Sequence, residues 1–343
     1  MGVSNSLFIK ACYGRNDGPI PIWIMRQAGR YLPEYQAVRG KVSFQELCKS
    51  PTLIAEVVRQ PVERFQLDAA ILFSDILTIL EPMGVEVSFP EGGPVIGSPI
   101  SRPEDVNKIH NCNIERDLSF VLAGIDEIKK TLPHTPLIGF AGSPFTLFCY
   151  LAEGKGSKTF DKAKKFIQKY PNAARRLIEL LADSVAEYLR AQVDAGVDVV
   201  QIFDSWGGIL AHDDYREWSA RPMAKILAEL KGKNVPRIVF VNNVAPYLDI
   251  VSGLDCEVIG VDYRIELAAA SAGLNGKSLQ GNLDPTVLFA EPEQVAVRTE
   301  AVIASVKNHK NLIFNLGHGI LPETPIASVE AMITAVRNFR NGQ

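Results

Sequence analysis

The chain has 343 residues, of which 36 are basic and 39 acidic, so its formal net charge is −3. Apolar residues make up 47% and charged residues 22%, which is typical of soluble globular proteins and excludes disorder, collagen and coiled coil as the main state. At ~150 residues per domain, the length corresponds to two domains or to one large α/β barrel. Because nucleic-acid binders have a basic excess, the charge argues against a nucleic-acid partner.

Five cysteines are scattered along the chain, and no CxxC pair occurs. This pattern argues against a disulfide scaffold and a zinc knuckle, and it indicates a reducing compartment, so we expect a cytoplasmic protein. The sequence predicts no signal or transit peptide and no membrane span. Residues 1–6 match a myristoylation pattern, which we interpret as coincidental because no basic cluster follows it.

Eight short runs of apolar β-formers predict strands that are buried on both faces. They span residues 22–25, 69–73, 136–140, 197–203, 237–241, 257–261, 278–281 and 311–314. Amphipathic segments between them predict helices, at 52–65, 114–131, 171–195, 215–230, 295–307 and 326–339. Pro222 is expected to break or kink the helix at 215–230.

Eight strand–helix repeats predict an α/β fold of the (β/α)8 TIM-barrel type. Runs at 85–89 and 94–100 flank Glu91-Gly92-Gly93, which predicts a β-hairpin inserted in the loop after strand 2. No linker divides the chain, so we predict a single domain over residues 1–343, with a core of about 7–339. An open doubly wound sheet is the alternative, and the count of eight does not favour it.

A barrel places its chemistry at the carboxyl ends of its strands. Arg26, Arg30 and Arg39 follow the first predicted strand within fourteen residues. Because the guanidinium group suits carboxylate and phosphate, these arginines predict a polyanionic ligand. The alternative is a surface ion-pair network with Glu34 and Glu46.

Three further side chains at strand ends are candidate site residues. Asp75 follows the apolar run 69–73, where a carboxylate must find donors or ionise poorly. It either caps the next segment, accepts hydrogen bonds from N–H groups of a ligand, or acts as a general acid or base. His318 stands between two glycines after the last strand, and Tyr150 follows the third; each is either structural or a ligand contact.

Other motifs are weaker. Ser205 has no His/Asp partner set, so the sequence does not predict a serine hydrolase. The segment 154–158, GKGSK, lacks the Walker spacing, and we interpret it as a flexible, basic loop. The residues by themselves therefore predict a barrel enzyme that binds a polyanion and has no visible metal or nucleotide motif.

The strand-end segments together resemble one family, uroporphyrinogen decarboxylase. The resemblance covers about residues 7–339 and rests on six motifs: PIWIMRQAGRYLPEY at 21–35, DAAILFSDIL at 68–77, PLIGFAGSPFT at 136–146, FDSWGG at 203–208, LQGNLDP at 279–285 and NLGHG at 315–319. Among these, MRQAGRYLPEY is long and very specific.

The resemblance implies a single (β/α)8 barrel that forms a homodimer, with no nucleic-acid or membrane partner. It implies decarboxylation, without cofactor or metal, of the four acetate side chains of uroporphyrinogen III, giving coproporphyrinogen III and CO2 in haem biosynthesis. Asp75 and Arg26 are then the expected catalytic residues. The family's substrate-binding positions fall here on Arg26, Gln27, Ala28, Gly29, Arg30, Arg39, Asp75, Tyr150, Ser205 and His318.

Two alternatives are weaker, because the chain lacks zinc ligands and keeps both the aspartate and the arginines. Corrinoid-dependent methyltransferases of the same superfamily activate a thiol on zinc, but strand 5 here ends in Asn242-Asn243, with no His or Cys ligand. A non-catalytic tetrapyrrole-binding protein is the second alternative, since fold does not determine function. The pair Asn242-Asn243 is itself unexpected, because we expect a smaller or glycine-rich segment there.

Overall fold

The computed structural model describes residues 3–90 and 93–339. Its strands are β1 (Ala70–Ile71), β2 (Val87–Ser88), β3 (Val95–Ile96), β4 (Leu137–Gly142), β5 (Val199–Asp204), β6 (Arg237–Val241), β7 (Val258–Val261), β8 (Ser278–Leu283) and β9 (Leu312–Leu316). All except β2 and β3 form one parallel sheet, in the order β1-β4-β5-β6-β7-β8-β9. Every residue of β4 to β9 is buried, which confirms strands covered on both faces.

The two edges of this sheet are joined by the segment 21–24. On one side, the Phe314 N–H donates to Pro21 O at 2.9 Å. On the other side, the Asp68 N–H donates to Ile22 O at 2.9 Å. The ring is therefore a barrel, but the predicted first strand is reduced to a single parallel bridge between Ile22 and Phe314. Regular pairing does not continue beyond it, because the Ile24 N–H donates to Gln27 Oε1 at 3.1 Å and the Met25 N–H donates to Asn315 Oδ1 at 2.9 Å.

Helices surround the sheet. They are α1 (Leu7–Cys12), α2 (Pro33–Arg39), α3 (Phe44–Lys49), α4 (Pro51–Phe65), α5 (Ile114–Asp117), α6 (Ser119–Thr131), α7 (Pro144–Glu153), α8 (Asp161–Lys169), α9 (Pro171–Asp194), α10 (His212–Tyr215), α11 (Arg221–Glu229), α12 (Leu248–Val251), α13 (Leu267–Gly273), α14 (Pro292–Ala304) and α15 (Ile326–Asn338). Because proline at the first turn loses no helical hydrogen bond, α9 begins at Pro171 as predicted. Pro222 lies in the first turn of α11, directly after a π-helical turn at Arg216–Ala220 that interrupts the predicted helix.

The long loop after β1 contains β2 and β3, which pair antiparallel. Glu91 and Gly92, where the turn of the predicted hairpin falls, lie outside the described residues, as do Met1 and Gly2 of the myristoylation pattern. The Ile96 N–H donates to Gly154 O at 2.7 Å, so this strand pair packs against the segment that follows α7. Within residues 3–90 and 93–339, we find no helix that is long and apolar enough to cross a bilayer.

The barrel interior combines aliphatic packing with a short polar chain. The Trp23 indole N–H donates to Gln280 Oε1 at 2.9 Å, and Gln280 Nε2 donates to Gln201 Oε1 at 3.1 Å. All three side chains are at most 2% exposed. Because buried polar groups are costly unless hydrogen-bonded, these two hydrogen bonds favour a single arrangement of the three side chains across the barrel.

Candidate active site

A cavity of about 410 Å³ opens at the carboxyl ends of the strands, within the range of small-molecule sites. Nine of the ten predicted site residues line it: Arg26, Gln27, Ala28, Gly29, Arg30, Asp75, Tyr150, Ser205 and His318. The tenth, Arg39, ends α2, donates to Val42 O and is not among the lining residues. The barrel thus brings together side chains that are almost 300 residues apart in sequence.

Arg26 leaves its strand in a left-handed conformation, with φ +66°, which is uncommon for a residue other than glycine. Its side chain lies against Gly319, where an added Cβ would be 2.4 Å from Arg26 Cδ. The Ile320 N–H also donates to Met25 O at 2.9 Å. Gly319 is therefore the residue type that leaves room for the guanidinium arm at this edge of the cavity.

Gln27 lines the cavity, but its polar atoms are engaged by the protein itself. Its Oε1 accepts from the Ile24 N–H at 3.1 Å, and its Nε2 donates to Ala69 O at 3.2 Å. The Tyr31 hydroxyl donates to Gln27 O at 3.0 Å. Gln27 therefore ties the loop that contains Arg26 and Arg30 to the segment that leads into β1.

Asp75 is half-buried after β1, and its Oδ1 accepts from the Leu77 N–H at 2.8 Å. Burial raises the pKa of this carboxyl, while the Leu77 N–H and the charge of Arg26 oppose that shift. The Thr78 hydroxyl accepts from the Asp75 N–H at 3.2 Å. A poorly hydrated carboxylate beside an arginine can accept N–H groups of a ligand and stabilise positive charge there.

His318 is kept neutral by its surroundings. Burial, followed by the charges of Arg26 and Arg264, lowers the pKa of this imidazole to about 4. At neutral pH the ring therefore offers one donor and one acceptor nitrogen to a ligand. The two arginines make its neighbourhood positive, which favours an anionic group.

The bottom of the cavity is aromatic. It is lined by Phe140 of β4, Phe203 of β5 and Phe240 of β6. The ring centroid of Phe203 is 5.5 Å from that of Phe140 and 5.8 Å from that of Phe240. We call these three residues the apolar floor. The residue-by-residue prediction did not include it, although an aromatic residue occurs near the end of three successive strands.

Ser205 is positioned by a buried carboxylate beside it. Asp204 accepts hydrogen bonds from Ser143 Oγ at 2.7 Å, Ser219 Oγ at 2.8 Å and the Gly207 N–H at 3.2 Å. A Cβ at Gly207 would be 2.1 Å from Asp204 Oδ2. The loop after β5 is therefore held rigidly, and Asp204 has a supporting role that its motif alone did not reveal.

The unexpected pair after β6 has a physical explanation. Asn243 has φ +61°, a conformation in which asparagine is favoured, and its Nδ2 donates to Gly208 O at 2.8 Å. Asn242 Nδ2 donates to Ser205 O at 3.2 Å, while its Oδ1 accepts from Arg264 Nη1 at 2.9 Å. The two amides therefore hold the loop that contains Ser205.

Tyr150 forms part of the cavity wall from α7 and is 8% exposed. Its ring centroid lies 6.3 Å from Trp206 and 6.4 Å from Phe160, in edge-on contacts. Burial raises the pKa of its hydroxyl, so the group stays protonated and can donate a hydrogen bond.

A zinc site needs several nitrogen, sulfur or oxygen ligands close together. In the part of the chain that the structure describes, no group of three His, Cys, Asp or Glu side chains lies close enough to bind one metal ion.

Comparison with known proteins places this geometry in a family. The family model "Uroporphyrinogen decarboxylase (URO-D)" matches residues 3–339. The chain is 42% identical to the uroporphyrinogen decarboxylase of Coxiella burnetii (strain Dugway 5J108-111) over 345 residues, covering 98% of this chain and 96% of the relative. It is 44% identical to that of Geobacter sp. (strain M21) over 336 residues, covering 98% and 99%.

Among solved structures, a methyltransferase from Methanosarcina mazei superposes with a TM-score of 0.79 at 19% identity, covering 96% of this chain and 98% of that chain. At this identity the likeness establishes the barrel fold alone. The sequence relatives are much closer and extend over the whole barrel. The chain therefore belongs to the uroporphyrinogen decarboxylase family.

Proposed function

We propose that this chain removes CO2 from the four acetate side chains of uroporphyrinogen III, giving coproporphyrinogen III in haem biosynthesis. The observation behind this proposal is the cavity itself, in a chain of this family. It combines two arginines at its entrance, one half-buried carboxylate and an apolar floor. This combination suits a large ring that has anionic groups at its edge and N–H donors at its centre.

The charged and apolar parts of the substrate suit the distribution of polarity in the cavity. Uroporphyrinogen has eight carboxylates, which need cationic or hydrogen-bonding partners. Arg26 and Arg30 supply charge, and Tyr150, Ser205 and His318 orient acetate or propionate groups. Arg39, beyond the cavity wall, is proposed to bind a more distant carboxylate. The pyrrole rings pack on the apolar floor, where aromatic contact and loss of water are favourable.

Asp75 stabilises the cation on which the chemistry depends. Its carboxylate accepts pyrrole N–H groups, so it favours protonation of the ring carbon next to the one that bears the acetate. The protonated ring takes the electron pair of the breaking C–COO bond, and CO2 leaves. The exocyclic carbon then gains a proton to become a methyl group, and the ring carbon loses its proton. Each cycle consumes one proton and releases one CO2.

Arg26 is the second proposed catalytic residue. It lies at the mouth and acts on Asp75 through its charge. We propose that it holds the reacting carboxylate, and that it or a bound water delivers the proton. Because the protonated pyrrole is the electron sink, the reaction requires no added cofactor or metal.

The test is anaerobic incubation of purified, metal-stripped protein with uroporphyrinogen III, followed by oxidation and separation by carboxyl number. We expect a ladder from eight carboxyls to four without added cofactor. Unchanged octacarboxylate with tight binding would replace this proposal with non-catalytic tetrapyrrole binding. If the protein shows neither binding nor turnover, the proposal is wrong, and thiol methylation with zinc would be tested next.

We propose further that the chain forms one domain and works in the cytoplasm as a homodimer, without nucleic acid. The family resemblance supports the dimer, and one continuous apolar core supports the single domain. Light scattering on the purified protein should give twice the chain mass, and a monomer mass at micromolar concentration would contradict the dimer.

A further inference from the structure

The sharpest charge contrast outside the cavity lies in residues 154–169, which we call the lysine segment. It contains six lysines and one aspartate, a net charge of +5 in a chain whose total is −3. The lysines are Lys155, Lys158, Lys162, Lys164, Lys165 and Lys169, and all except the half-buried Lys164 are exposed. The rest of the molecule is therefore clearly acidic.

These lysines differ from most others in the molecule. Among the described residues, none of the six ammonium groups forms an ion pair with a carboxylate. Eight lysines elsewhere do form such pairs, namely Lys10, Lys49, Lys108, Lys129, Lys130, Lys225, Lys231 and Lys233. The Glu153 carboxylate, next to the segment, accepts a hydrogen bond from the Lys162 backbone N–H at 3.1 Å but forms no ion pair with these ammonium groups. Most of the positive charge of the lysine segment is thus left without a carboxylate partner among the described residues.

The lysine segment lies at the same end of the barrel as the cavity. It connects α7, which follows the carboxyl end of β4, to the start of α9. Lys155 forms an antiparallel bridge with Val95, and the adjacent Pro94 lines the cavity. Within the segment, the ring centroid of Phe160 is 4.5 Å from that of Trp206.

The packing of Phe160 completes this placement. Its ring also contacts Tyr150, a residue of the cavity wall, with a centroid distance of 6.4 Å. Phe160 is fully buried, so it anchors the lysine segment to the cavity wall while the lysines face solvent. The uncompensated charge is therefore held beside the entrance.

We propose that the lysine segment is an electrostatic guide, which attracts the polycarboxylate substrate and raises its rate of entry into the cavity. The identity of that substrate rests on the proposed function. Attraction between clustered unlike charges increases association rates and falls steeply with ionic strength. Because the lysines are solvated, the guide acts before the substrate is bound and leaves the chemical step unchanged.

The experiment measures association of a non-reacting probe, the oxidised octacarboxylate uroporphyrin III, by stopped-flow quenching of tryptophan fluorescence. The main variant is K155Q/K158Q/K164Q/K165Q/K169Q. We expect its association rate constant to be about tenfold lower than that of the unmodified protein at about 20 mM salt, with dissociation little changed. At about 500 mM salt, where screening is strong, the difference should disappear.

A smaller pair of variants gives the matched control. K155Q/K158Q removes two charges beside the cavity and should lower the association rate about threefold at low salt. K307Q/K310Q removes two exposed lysines just before β9, at the opposite end of the barrel, and should leave the rate unchanged. Circular dichroism establishes that each variant is folded.

Turnover separates this inference from the proposed function. With uroporphyrinogen III, the five-lysine variant should have a lower kcat/KM and an unchanged kcat. If the unmodified protein binds the probe but does not decarboxylate uroporphyrinogen III, the proposed function fails, and the guide is still judged from the association rates. Equal rates at low salt, or a loss that persists at high salt, would overturn the guide, as would absence of probe binding.

Discussion

At Asp75, burial and hydrogen bonding act in opposite directions. Burial raises the pKa of the carboxyl, and the Leu77 N–H together with the charge of Arg26 lowers it. The group is therefore poorly hydrated, yet it has partners for its charged form. Such a carboxylate is suited to pair with a cationic ring, because little water has to be displaced when the cation forms.

The variant Asp75→Asn tests this role. The amide keeps the shape of the side chain but loses its charge, so we expect kcat for the first decarboxylation to fall roughly 100- to 1000-fold. Asp213→Asn makes the same chemical change at a fully exposed side chain and should leave kcat unaltered. Near-normal turnover of a folded Asp75→Asn protein would refute the assignment.

Gly319 provides a test of Arg26 without changing the arginine. In Gly319→Ala, the new methyl group would meet Arg26 Cδ at 2.4 Å, so the flexible side chain has to move. Because misplacement by about 1 Å can cost up to 100-fold, we expect kcat/KM to fall about tenfold. Gly156→Ala, where an added Cβ meets nothing within 4 Å, is the control. If Gly319→Ala had the same kcat/KM as the Gly156→Ala control, the position of Arg26 would be unimportant for turnover.

His318 should make stability depend on pH. Its pKa is lowered from 6.5 to about 4 in the folded chain, so between these values the unfolded chain binds more protons. The free energy of unfolding therefore rises with pH in this window and decreases on acidification. Between about pH 7 and about pH 5, the free energy of unfolding of His318→Asn should fall by about 2 kcal/mol less than that of the unmodified protein. Urea unfolding at the two pH values measures both decreases, and equal decreases in the two proteins would contradict this.

At the level of elements, the loop after β5 is held by side chains from other loops. Asn242 and Asn243, after β6, donate to carbonyl groups of that loop at 3.2 Å and 2.8 Å. Gly208 permits this approach, since a Cβ there would be 2.2 Å from Asn242 O. Neighbouring strand ends thus stabilise each other, and the position of Ser205 depends on β6.

Asn243 gives the measurable consequence. Asn243→Ala removes the hydrogen bond to Gly208 and places alanine at φ +61°, so we expect a loss of about 2 kcal/mol in the free energy of unfolding. Asn243→Gly loses the hydrogen bond but tolerates this conformation, and should cost about 1 kcal/mol. Denaturant unfolding measures both. If glycine were as destabilising as alanine, the backbone conformation would not be the cause.

For the whole molecule, one seven-stranded barrel sheet and one continuous core predict cooperative unfolding. Tryptophan fluorescence reports on Trp23, which is fully buried and bonded to Gln280, together with Trp206 and Trp218. Thermal curves from tryptophan fluorescence and from far-ultraviolet circular dichroism should have the same midpoint. Two separate transitions would contradict the proposed single domain.

The sequence was most informative where burial is uniform. Strands β4 to β9 follow apolar runs, so their existence and order were predictable. The first predicted strand is only a bridge, because side chains of Gln27 and Asn315 accept the N–H groups of Ile24 and Met25. Helix α7 was not predicted, since Pro144 to Ala152 is buried on every side and has no amphipathic period.

Position along the chain also predicted which residues line the cavity. Four of them come shortly after predicted strands, namely Arg26, Asp75, Ser205 and His318, and Tyr150 lies in helix α7 after β4. Parallel strands in a ring end on one side, so these residues meet there. That reasoning assigns a residue to the mouth, but it does not say which partners its side chain has. Gln27 illustrates the difference, because its amide bonds to Ile24 and Ala69.

The amino-acid sequence by itself determined the barrel class, the family and the residues that gather at the carboxyl ends of the strands, because these follow from local burial patterns and motifs. Only the tertiary structure decided which of those side chains share the cavity, which are engaged in support, and where the lysine segment lies. These properties depend on contacts between residues far apart in sequence, such as Arg26 with Gly319 and Phe160 with Trp206. No local pattern specifies such contacts, because they form only when the ring of strands closes.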